Sequence, residues 1–63
     1  MESRAYILHT IAANERLLRR FRRALADEAA KPTVDLSLCR RIRRAIRSGL
    51  AVQEARRAQL AKS

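Results

Sequence analysis

Arginine is the residue of this 63-residue chain best suited to do chemistry, and eight of the thirteen arginines fall in two matching stretches. Residues 17–25 read Leu-Leu-Arg-Arg-Phe-Arg-Arg-Ala-Leu and residues 38–46 read Leu-Cys-Arg-Arg-Ile-Arg-Arg-Ala-Ile, one pattern repeated at an offset of 21. A guanidinium is a planar fork of donors that matches phosphate better than the point charge of lysine does. At about 100° per residue, Arg19 and Arg23 point away from Phe21 while Arg20 and Arg22 flank it; Arg40, Arg44, Arg41 and Arg43 surround Ile42 in the same way. Each copy is thus a helix segment with one apolar contact face and an arginine-covered remainder.

Adding the neighbouring arginines extends the pattern into rows. Arg16, Arg19 and Arg23 form one helical stripe and Arg40, Arg44 and Arg47 another, at spacings that let guanidinium groups reach successive phosphates. With Arg20 and Arg41 these are the candidate nucleic-acid-binding residues. The competing reading is a solvated charged face, with Glu15 pairing to Arg19 and Arg23 to Asp27 along one helix. Charge weighs against it: six acidic residues cannot neutralise fifteen basic ones, and the formal charge of +9 favours an anionic partner.

Other chemistry finds little material. His9 has no serine or carboxylate at a motif spacing, and Cys39 reads as a small buried apolar residue. One histidine and one cysteine make no zinc pattern, and there is no Gly-rich phosphate loop or carboxylate pair. No enzyme, metal site or cofactor is expected. Base stacking on single strands needs aromatic platforms, yet Phe21 is claimed by the core and Tyr6 reads as structural.

The elements that position the arginines follow from apolar spacing. Between Ser3 and Ala30 there is no Gly or Pro, and Ile7, Ile11, Leu18, Phe21 and Leu25 recur on one face, with Asn14 as a polar member of that row. Pro32 ends this helix near residue 30, the turn spans about 31–34, and Thr33 or Asp35 caps a second helix over about 35–61. Its inward face is expected to hold Leu38, Ile42, Ala45, Ile46, Gly49, Val52 and Leu60. Gly49 marks either a break after Ser48 or a close helix crossing, and in a folded-back hairpin it faces Asn14. Phe21 and Ile42 fall at nearly the same level, which makes them the expected central core layer and draws both basic clusters together.

The expected fold is therefore all-α: one domain over residues 1–63, built as a long antiparallel helical hairpin. A chain this short has a marginal core, and Leu8 and Leu17 lie outside the central stripe, so dimerisation into a four-helix bundle is expected. The alternative reads residues 4–11 as a strand, followed by two helices, in the order of a ribbon-helix-helix dimer. Its in-and-out alternation is poor, because Leu8 would share the groove-facing side with Arg4, Tyr6 and Thr10.

These features point to a small basic nucleic-acid-binding protein, DNA- or RNA-directed, acting as a regulatory or architectural factor in the cytoplasm. The main alternative is an interaction module, an inhibitor or adaptor, that sets its arginines against an acidic protein partner. Peripheral attachment to an anionic membrane ranks third. No signal peptide or integral membrane segment is expected, because Glu2, His9 and Thr10 interrupt the apolar amino-terminal run.

Overall fold

The computed structural model describes residues 2–62 and contains two helices, α1 (Arg4–Ala29) and α2 (Leu36–Lys62), packed antiparallel as a hairpin. Helix α1 begins where Ser3, in extended conformation, accepts the Tyr6 backbone N–H on its side-chain oxygen at 3.1 Å. Such a cap satisfies one of the donors that a first turn leaves without a partner. The helix ends just ahead of Lys31-Pro32, as the restriction on a residue before proline requires. Of the two candidate caps for α2, Asp35 takes the role: its Oδ1 accepts the Leu38 N–H at 3.0 Å.

Glu28 stitches the turn. It is buried, and its carboxylate accepts Lys31 Nζ at 3.1 Å and the Asp35 N–H at 3.5 Å. The carboxylate thereby ties the end of α1 to the cap of α2. Apolar spacing could not announce this role, because glutamate at the end of an amphipathic row reads as its solvent boundary.

Residues 4–11 are helical, and no strand occurs among the described residues, so the ribbon-helix-helix alternative is overturned. The physical reason is that a helix places Ile7, Ile11 and Leu18 on one face, where all three are buried, whereas a strand would put the exposed His9 on the same face as Ile7 and Ile11.

Gly49 does not break α2, which runs without interruption through it. A Cβ on Gly49 would stand 2.7 Å from Leu18 Cδ2 and 3.3 Å from its Cγ, so the absent side chain is what lets the two helices approach. Asn14 sits at the same crossing and donates from Nδ2 to the Gly49 carbonyl at 2.8 Å and to Gln53 Oε1 at 3.0 Å. Gln53 Nε2 in turn donates to Glu15 Oε1 at 3.0 Å, and Arg57 reaches the same oxygen at 3.1 Å. A chain of directional bonds across the seam penalises any sliding of one helix past the other, which an apolar stripe alone would resist weakly. Every buried side-chain polar atom among the described residues has a partner.

Two core assignments need correction. Val52, placed inward by spacing, is 50% exposed, and Gln53 is buried in its stead. Gln53 lies four residues after Gly49 and seven after Ile46, so helical periodicity itself sets it on the seam, where its amide bonds Asn14 and Glu15. Phe21 and Ile42 are only half-buried; the buried apolar residues are Ile7, Ile11, Leu18 and Cys39. With Gly49 drawing the helices together beside Leu18, the larger Phe21 ring is left at the margin of the seam. Cys39 is buried and free, as its reading as a small apolar residue required.

Candidate nucleic-acid interface

All eight candidate arginines are exposed. On α1 a groove of about 490 Å³ is lined by Arg16, Arg19, Arg20 and Arg23 alone, with no residue of α2 contributing. The buried row of Ile7, Ile11 and Leu18 fixes the inward direction of α1, and these four arginines occupy the opposite side. The equivalent direction on α2, opposite Gly49 and Gln53, carries Arg40, Arg44 and Arg47. Arg41 stands apart from them, on the row that continues through Ala45, Ser48 and Val52.

The expectation that the two clusters come together is therefore met in height and not in direction. Both rows lie in the half of the hairpin nearest the turn. They face outward from opposite edges, because antiparallel helices that bury matching stripes must turn their polar backs away from each other.

A second groove runs along one flank and is lined by Glu15, Leu18, Arg19, Arg22, Leu50, Gln53 and Arg57. It adds Arg22 and Arg57 to the charged surface, both of which lie outside the two rows. For Arg22 a signal was present, since it falls one turn after Leu18 and beside the seam. The other flank carries Tyr6, Thr10, Leu17 and Phe21 of α1 and Ala45, Ser48 and Val52 of α2, an uncharged stretch bounded by Arg41 at the turn end and by Arg56 beside Tyr6 at the other. Leu8 and Leu17, both exposed, are nine residues apart and so fall on opposite flanks instead of widening one surface.

Four of the six acidic residues, Glu2, Glu15, Glu28 and Asp35, are engaged elsewhere. Glu15 turns across the seam to Gln53 and Arg57 instead of along α1 to Arg19, and no pair joins Arg23 to Asp27. Arg56 bonds Glu2, donates to Gln59 Oε1 at 3.1 Å, and lies 6.0 Å from the centroid of the Tyr6 ring. Arg56 and Arg57, which lie outside the repeated stretches, thus clasp the open end of the hairpin. Among the described residues, no hydrogen bond or ion pair engages Arg16, Arg19, Arg20, Arg23, Arg40, Arg41, Arg44 or Arg47.

His9 is exposed near the start of α1, and Cys39 is buried near the start of α2, at the other end of the hairpin. No group of three or more His, Cys, Asp or Glu side chains among the described residues is placed to hold a metal ion, and no helix is long and apolar enough to cross a membrane.

Fold and site together define an arginine-edged helical hairpin. No family model, curated protein or solved structure matches the chain.

Proposed function

We propose that this protein is a small nucleic-acid-binding factor, regulatory or architectural in role, that holds duplex phosphates on its outer arginine rows. One observation carries the reading: the repeated arginines are exposed and unpaired, Glu2, Glu15 and Glu28 are committed to Arg56, Arg57, Gln53 and Lys31, Asp35 caps α2, and the acids left over, Asp27 and Glu54, are too few to offset eight guanidinium groups. Rows of guanidinium groups on a rigid helix meet the phosphate backbone without reading bases, so the expected binding is strong at low salt and tolerant of sequence.

A mobility-shift series with duplex DNA, duplex RNA and heparin at several salt concentrations tests this. Tighter binding to one duplex than to heparin, with log K falling linearly in log salt, supports the reading. Failure to retain either duplex at low salt would transfer the arginines to the alternative, an acidic protein surface.

The working unit in this reading is a homodimer formed through the uncharged flank. Among the described residues only four apolar side chains are buried within one hairpin, while Tyr6, Leu17 and Val52 stay 39–50% exposed. That uncharged stretch runs for about 22 Å, at ~1.5 Å per residue from Tyr6 to Phe21, along a hairpin 48 Å long. Turns at the same end would crowd all four arginine rows of the dimer together, so electrostatics favours turns at opposite ends. The dimer axis then stacks α1 on α1 and α2 on α2 in a four-helix bundle and leaves both arginine edges open. Sedimentation equilibrium is expected to report twice the chain mass, and Leu17→Asp to reduce it to the mass of one chain; a wild-type monomer at micromolar concentration would overturn the dimer.

A further inference from the structure

The two arginine rows stand back to back. Arg16 with Arg47, Arg19 with Arg44 and Arg23 with Arg40 are symmetric about the same point of the sequence as Asn14 with Gly49, which are in contact at 2.8 Å. Each pair therefore lies at a matched level of the hairpin, one member on each outer edge.

Geometry prevents both rows from serving one duplex. Two packed helices with their side chains are roughly 20 Å across, from an axis separation of about 8–10 Å and a helix diameter of about 10–12 Å. Arginines on opposite edges point about 180° apart, so phosphates within reach of one row lie behind the other. Wrapping a duplex from one edge round to the other would reverse its direction over tens of ångströms, against a persistence length of about 50 nm.

Resting on the nucleic-acid reading above, we propose that the protein is a bridge: each edge takes the backbone of a separate duplex, and the hairpin or its dimer forms the spacer between them. The spacing suits the task. Roughly 20 Å of protein is about two Debye lengths at 0.1 M salt, so the repulsion between the two duplexes is largely screened, while each stays in contact with its own arginine row. The uncharged flank leaves these edges free when a second copy packs on it, and in the dimer each edge repeats one row.

A capture assay tests the bridge. Duplex DNA tethered to beads is incubated with limiting protein and a second, fluorescent duplex, and the retained fluorescence is read. Wild-type protein is expected to retain the second duplex, and excess protein to release it, as each duplex becomes coated separately. The variant Arg40→Ala/Arg44→Ala/Arg47→Ala is expected to bind the tethered duplex with only a few-fold loss, yet to retain at least tenfold less of the second. The mirror variant Arg16→Ala/Arg19→Ala/Arg23→Ala should behave alike, with helicity checked for both by circular dichroism. Bridging undiminished in both variants would overturn the proposal by placing it in chain assembly, and loss of the tethered duplex by a folded variant would overturn it by showing that both rows serve one site. Either result leaves the nucleic-acid reading standing. That reading itself fails if wild-type protein does not bind the tethered duplex.

Discussion

Replacing Arg19, Arg23, Arg40 and Arg44 together with alanine is expected to flatten the salt dependence of duplex binding while leaving the hairpin folded. Each phosphate contact displaces condensed counterions and contributes about 0.9 to the slope of log K against log salt on B-form DNA. The variant removes two arginines from each edge, so the slope should fall by at least about 1.8 whichever edge is occupied. Raising salt from about 50 to about 200 mM should then weaken the wild type roughly tenfold more than the variant. The fold should be indifferent to the change, because none of the four side chains has a hydrogen bond or ion pair among the described residues and all are exposed. Titrations at four or more salt concentrations, with circular dichroism of the same samples, make the check. A folded variant with the wild-type slope would show that these arginines do not touch phosphate.

The largest effect on stability is expected at the Leu18–Gly49 crossing. Leu18 is 5% exposed, and truncating a buried leucine to alanine costs about 2–5 kcal/mol. That is a large fraction of what a domain of this size retains, so Leu18→Ala should melt without a cooperative transition in plain buffer. Gly49→Ala carries the more discriminating result. Helix propensity alone favours it by about 1 kcal/mol, yet the new Cβ would press on Leu18, and overpacking costs about 1–3 kcal/mol. In the wild type the substitution should therefore destabilise; with Leu18→Ala the obstruction is gone and it should stabilise by about 1 kcal/mol. Melting curves in trimethylamine oxide, which favours the folded state, keep the weaker variants measurable. If Gly49→Ala raises the wild-type midpoint, the helices are not in close contact there.

Helix content, the turn and the pairing of Asn14 with Gly49 were legible because each rests on a local rule. Ser3 and Asp35 carry side-chain acceptors where helices need caps, and Pro32 stops α1. Asn14 and Gly49 followed from counting residues outward from the turn. Val52 and Gln53 were exchanged because polarity masked the spacing: Gln53, four residues after Gly49, falls on the inward row, and Val52 stands about 100° away from it. A buried amide is sustained there by hydrogen-bond partners on the other helix. Phe21 was misjudged for a related reason: repetition of its environment marked it as central, but its depth depends on how closely the backbones approach, and Gly49 sets that distance.

For the candidate site, reading along the chain is enough to say which arginines are grouped, that each group lies on the polar back of a helix, and that both groups stand at one level of the hairpin. These are consequences of helical periodicity and of the position of the turn, which act within or between adjacent segments. Which acids neutralise which bases, and in which directions the rows face, depends on how the two helices pack. Glu15 chose Arg57 over the nearer Arg19 because the seam offers it Gln53 as well, a contact between residues 38 apart. Likewise the two arginine rows diverge because both helices spend their apolar stripes on each other, and burial of those stripes forces their charged backs to opposite edges.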